Sequence, residues 1–163
     1  MRCSKALLLI VLTGLCLPRV RAGDNGEGYL KDGKLKERLE VRELQGGIAG
    51  LTGTYYAVEP DGSWSTGPVR PPRAKAGEPK AKGKLNAAQL ARLSKALATY
   101  DLGTLPSHGT PVANPKVISV RFGKRASELQ PGLGKSTPED DKAIRARYAG
   151  VVQAVKAMCQ EKQ

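Results

Sequence analysis

The sequence predicts an α+β fold: a two-layer domain in which an antiparallel sheet of about four to five strands carries two amphipathic helices on one face. Three observations predict it. The β-type runs stand in adjacent groups with no helix between neighbours, the order that antiparallel pairing produces. Two later segments repeat their apolar residues at steps of three and four, so each has one face to bury. Residues 38–160 also match the size of a single domain with a sizeable core. The expected order is strand, strand, short strand, helix, strand, strand, helix.

Residues 1–22, MRCSKALLLIVLTGLCLPRVRA, open with Arg2 and Lys5, run apolar from Ala6 to Leu17 and end in Val20-Arg21-Ala22. A basic start, a short apolar run and small residues before the cut mark a secretory signal peptide, too short for a spanning helix with its flanks. Cleavage near Ala22 would release a periplasmic or extracellular chain. The alternative, a bacterial lipoprotein with lipid on Cys16, meets Leu15 where a small residue belongs. Cleavage also removes Arg2, Lys5, Arg19 and Arg21 and no acid, lowering the formal charge from +12 to +8. Of the three cysteines only Cys159 remains, so no internal disulfide is expected and packing must hold the domain. No other apolar run approaches the ~20 residues of a membrane helix, so no integral membrane segment is expected in the mature chain.

The polar, glycine-rich stretch 23–37 reads as a flexible leader. RLEVREL (38–44) alternates, with Leu39, Val41 and Glu43 on one face, and reads as a strand. LQGGIAGLTG follows with four glycines in eight positions, then LTGTYYAV (51–58), a second strand. Glu59-Pro60-Asp61-Gly62 is a turn, because proline presets φ and Asp-Gly makes a tight corner. SWSTG is a short third strand with Trp64 facing back onto the sheet. Residues 67–84 hold four prolines, six basic residues (Arg70, Arg73, Lys75, Lys80, Lys82, Lys84) and one acid, Glu78. With almost nothing to bury, this insert is expected to be extended and mobile. It reads as a solvated loop or, alternatively, as a basic tether to anionic envelope polymer.

LNAAQLARLSKALATY carries a helix signature. Asn86 and Gln89 are spaced for a capping box, Leu85 and Leu90 for a hydrophobic staple, and Leu90, Leu93, Leu97 and Tyr100 share a face. After a Gly/Pro-punctuated connection, KVISVRF (116–122) is a strand that turns at Gly123-Lys124 into RASELQ. Thr137-Pro138-Glu139-Asp140-Asp141 supplies a cap, a first-turn proline and acids at a helix start. Ile144, Tyr148, Val151, Val152, Val155, Met158 and Cys159 then give that helix one apolar face.

Constellations that carry chemistry are missing from the sequence. GGIAG lacks the spacing of a dinucleotide fingerprint and precedes a β-type run, so its glycines serve chain reversal or close backbone approach. GKST (134–137) lacks the P-loop glycine five residues before Gly134, where Leu129 stands. His108 is the only histidine, which excludes paired-histidine metal motifs within one chain. Cys159 falls on the core stripe of the last helix, where a thiol is a small hydrophobe. No enzyme, cofactor or metal is expected. Nucleic acid is not expected either, because the basic residues are scattered outside the insert and Tyr55, Tyr56, Trp64 and Phe122 lie in strands.

The run VRELQGGIAGLTGTYYAVEPDG resembles the start of the emfourin family, small bacterial proteins that inhibit protealysin and related thermolysin-like metalloproteases. The likeness extends over about residues 38–159: a strand, the Gly46-Gly47-Ile48-Ala49-Gly50 element, a second strand, a turn, a leucine-rich helix, a loop near Leu105-Pro106, a hairpin and a closing helix. Typical members lack the Lys/Pro-rich insert. The resemblance implies a non-enzymatic protein that occludes a protease cleft, with Gly46, Gly47, Ile48, Ala49 and Gly50 in contact and the turn at Asp61 and Gly62 as support. The other reading is a periplasmic or cell-surface module that binds anionic envelope polymer through Arg70, Arg73, Lys75, Lys80, Lys82 and Lys84.

Overall fold

The computed structural model describes residues 27–71, 74–132, 134 and 136–160; the expected signal peptide, Cys16 and Arg73 lie outside them. The fold is α+β. A single turn of 3₁₀ helix leads into β1 (Leu30–Lys31) and β2 (Lys34–Leu35), followed by β3 (Leu39–Gln45), β4 (Thr52–Val58), β5 (Ser63–Arg70), β6 (Lys75–Ala76) and β7 (Ala81–Lys84). Then come α1 (Ala87–Thr99), β8 (Lys116–Phe122), β9 (Arg125–Leu129) and α2 (Pro138–Gln160). The main sheet runs β6-β5-β4-β3-β8-β9, with β7 pairing the other half of β5's outer edge. All these pairs are antiparallel.

One face of the sheet meets the helices. Leu39, Val41, Tyr56, Val58 and Val120 from the strands join Leu90, Leu93 and Leu97 of α1 and Tyr148, Val151, Val152, Val155 and Cys159 of α2 in one buried cluster. The helix signals behave as their chemistry requires. The Asn86 side chain accepts from the Gln89 amide at 2.9 Å, and Gln89 Oε1 accepts from the Asn86 amide at 2.9 Å. Glu43 does share the face of Leu39 and Val41, where the Lys156 ammonium of α2 reaches it at 2.9 Å. Tyr148, wholly buried, donates its hydroxyl to the Pro106 carbonyl at 2.8 Å, which ties α2 to the connection after α1. Cys159 is 5% exposed, and burial pushes its thiol up to about 12. Its thiolate fraction at pH 8 is therefore ~10⁻⁴. Cys159 should stay unlabelled by maleimide at pH 8 and react fully once denaturant unfolds the chain; rapid native labelling would contradict this packing of α2.

Three expectations need correction. Among the described residues the main sheet has seven strands rather than four or five. The insert 67–84 is largely strand: β5 continues through Arg70, and β6 and β7 return along it. The cause is backbone pairing, invisible to hydrophobic patterning. The Gly77 amide donates to the Pro68 carbonyl at 2.7 Å, and Lys80 to the Thr66 carbonyl at 2.8 Å. Between β5 and β6 the segment also reaches the second sheet face, where the Arg42 guanidinium donates to the Ala74 carbonyl at 2.8 Å. A smaller apolar cluster, Leu44, Tyr55, Ala57, Val69 and Val117, is buried there with Leu51 and Ala74 against it.

The leader is ordered from Glu27 onward. Asp32 (φ 53°) and Gly33 (φ 73°) form the two-residue turn between β1 and β2. The hairpin holds because its side chains find distant partners. Leu35 is buried, Tyr29 meets the Phe122 ring edge-on at 5.5 Å, and the Gly103 amide donates to the Tyr29 hydroxyl at 2.7 Å. Among the described residues no helix is long and apolar enough to cross a membrane.

Candidate functional site

The 46–51 connection leaves the central strand β3 and enters β4, so both its ends are fixed by a sheet that pairs β3 on either side. Two of its glycines have distinct reasons. A Cβ on Gly46 would stand 2.3 Å from Pro115 Cδ, because the two backbones meet there and the Gly46 amide donates to the Pro115 carbonyl at 2.7 Å. Gly50 takes φ 107°, which reverses the chain, and its amide donates to the Gly47 carbonyl at 2.9 Å. Gln45 adds a side-chain bond to the Asn114 carbonyl at 2.9 Å. Gly47 and Ala49 are exposed, and Ile48 between them is 110% exposed. The result is an apolar tip on a short loop whose base is pinned to its neighbour. A helix does not follow this loop, so it lacks the amino end that cradles phosphate.

Asp61 and Gly62 stand elsewhere. β4 runs seven residues from the 46–51 loop to this turn, a separation of about 23 Å. The turn serves the fold. Gly62, at φ 83°, donates to the Glu59 carbonyl and accepts from the Leu85 amide, each at 2.9 Å, fixing the entry to α1. Asp61 accepts from the Ser63 hydroxyl and, at 2.9 Å, from the Ser63 amide; the hydroxyl bond first and the amide bond second hold its carboxyl below the usual range. The two predicted contact elements therefore sit at opposite ends of the sheet and cannot support one another.

The cations proposed for polymer binding share one sheet edge. Arg70, Lys75, Lys80, Lys82 and Lys84 are exposed on or beside β5, β6 and β7. Lys84 lies 3.8 Å from Asp61. Lysines on an edge strand block edge-to-edge association, which accounts for those of β7 without a ligand. An open depression of about 440 Å³ beside them is lined by Glu59, Ser63, Trp64, Ser65, Lys82 and Gly83, and Glu59 is already within 3.3 Å of Arg38.

The site-like cluster that sequence reasoning missed is built around His108. Its Nε2 lies 2.7 Å from Asp141 Oδ1, Arg145 donates to Asp141 Oδ2 at 2.7 Å, and Arg145 also reaches the carbonyls of Gln130, Pro131 and Gly132. Hydrogen bonds from Arg145 first and His108 second hold the Asp141 carboxyl below its ordinary range. The cluster clamps the start of α2 to the strand end and to the loop that begins at Gly109. Its signal was Asp141 four residues before Arg145 on a helix; the partner His108 is remote in sequence. Cys159 lies eighteen residues beyond Asp141 on the same helix, ~27 Å along its axis, so His108 and Cys159 cannot form a dyad within one chain. Lys135 of the GKST stretch is outside the described residues. Among the described residues no group of three or more His, Cys, Asp or Glu side chains could hold a metal ion. Set against models of known protein families and against curated proteins, the chain matches none.

Proposed function

We propose that this chain is an exported, non-enzymatic inhibitor of thermolysin-like metalloproteases that blocks the cleft with the 46–50 loop. The observation that carries the reading is Ile48, a large apolar side chain held wholly in solvent at the tip of a braced connection. Burying such a side chain contributes ~1.5–3 kcal/mol, and that contribution is open only to a partner. The bracing at Gly46 and Gln45 means that little backbone freedom is left to lose on binding, which lowers the ordering cost. A loop with fixed ends also resists cleavage, because a cut would not let the new ends part. The resemblance of the GGIAG element and its flanking strands to the emfourin family points to the same class of partner.

The experiment is titration of a thermolysin-like metalloprotease with residues 23–163, followed by intact mass. Stoichiometric loss of activity with an uncut protein is the expected result; unchanged activity, or digestion of the chain, would overturn the proposal. The envelope-polymer reading is separated by charge reversal. Deleting 69–83 is unsuitable, since it would remove Val69 from the second apolar cluster and strip β6 and most of β7 from the sheet. Changing Lys80 and Lys82 together to Glu should instead leave inhibition within about twofold, because those exposed cations lie beside Thr66 and Ser65 of β5, along the sheet away from the end that carries the loop. A loss as large as that caused by altering Ile48 would move the contact surface to this edge.

A further inference from the structure

Among the described residues the large hydrophobics classed as exposed are Ile48 and Val112, at 110% and 47%. Single exposed aliphatics are ordinary on protein surfaces and need no explanation. Here both stand at one end of the sheet, on loops whose bases are joined. The Gly46 amide bonds the Pro115 carbonyl and Gln45 bonds the Asn114 carbonyl, and these partners are three and two residues beyond Val112. Chain connectivity therefore keeps Ile48 and Val112 within about 20 Å of each other. A standard interface of ~800 Å² per partner covers both.

The second loop is as firmly held as the first. Gly109 adopts φ 89° where a Cβ would stand 2.3 Å from the Gln130 carbonyl oxygen, and Asn114 takes a left-handed φ of 49°. Thr110 and Gly132 exchange backbone hydrogen bonds at 3.3 and 3.1 Å. Below them the His108–Asp141–Arg145 clamp fixes the strand end and the start of α2. Val112 thus sits about half in water on a stiff support, one side of it covered beside Gly132 and the other open.

We infer that Val112 is a second contact point for the protease, so that the 109–115 loop enters the rim of the cleft beside the 46–51 loop. The inference rests on the inhibitor reading and adds the partner's shape: an apolar depression adjoining the one that receives Ile48, which a flat or convex surface would not offer. Two stiff apolar tips on joined supports give specificity by spacing as well as by chemistry, since both must be met at once.

The test measures the inhibition constant of residues 23–163 carrying Val112→Asp, next to the unmodified chain and Ile48→Asp. The expected result is weakening by at least about tenfold with an unchanged melting temperature. Full-strength inhibition by Val112→Asp, with Ile48→Asp inactive, would overturn this inference and leave the inhibitor reading standing. Failure of the unmodified chain to inhibit would overturn both. Should Val112→Asp lower the melting temperature, amide exchange in the unmodified complex decides. Protection across 109–115 on binding supports the second contact, and its absence there, with protection across 46–51, rejects it.

Discussion

Replacing Ile48 with Asp is expected to weaken protease inhibition by about a hundredfold or more and to leave the melting temperature within about a degree. The two halves of that expectation have separate causes. Ile48 is 110% exposed in the free protein, so the fold gains nothing from its side chain and loses nothing when it changes. In a complex the same side chain would give up its transfer contribution, and a carboxylate would have to be desolvated in an apolar depression. Together these exceed the ~2.7 kcal/mol that a hundredfold change represents. Ile48→Ala should fall between, since it removes the apolar contact without adding a charge. Inhibition constants and thermal melts on the same samples check both parts. An unaltered inhibition constant for Ile48→Asp would take the loop out of the contact surface.

The sequence made the site's apolar tip visible and concealed its support. Gly46 to Gly50 could be read as a tight connection because glycine spacing and the following β-type run exclude a phosphate loop. What pins that connection, Pro115 and Asn114, lies some seventy residues away and carries no local signal. The elements built from side-chain periodicity were legible for the same reason. The capping box at Asn86 and Gln89, the alternation of Ile118, Val120 and Phe122, and the apolar stripe of α2 are all short-range patterns. β6 and β7 were not legible, because strands made of Lys, Ala and Gly pair through their backbones and leave no alternation to see. The β1–β2 hairpin is a different case. Its Asp32-Gly33 pair is a hairpin signal that a reading by polar composition alone passes over; Tyr29 and Leu35 show that composition misjudges the segment. The support assigned to Asp61 and Gly62 failed on topology, since proximity in sequence across β4 became separation along the strand.

Gly53→Ala is expected to be the most damaging single-methyl change in the domain, costing about 3 kcal/mol or more and lowering the melting temperature by ~10 °C. Alanine in a strand would ordinarily stabilise by ~0.5–1 kcal/mol relative to glycine, through a less flexible unfolded chain. Here that gain meets a Cβ placed 1.9 Å from the Glu43 carbonyl oxygen and 3.0 Å from Leu44 Cα. The obstacle is backbone of β3, which is paired on both sides and buries Leu39 and Val41 completely, so it cannot shift by the ångström or more required. Gly150 in α2 offers the contrast. A Cβ there would stand 2.2 Å from the Tyr100 ring, but the obstacle is a side chain rather than paired backbone and alanine gains about 1 kcal/mol over glycine inside a helix, so Gly150→Ala should cost less. Denaturant and thermal unfolding of the two variants separate the cases. Equal stability of Gly53→Ala and the unmodified chain would mean that β3 and β4 are slack where they carry the 46–51 loop. The pinned geometry on which Ile48 depends would then fail with it.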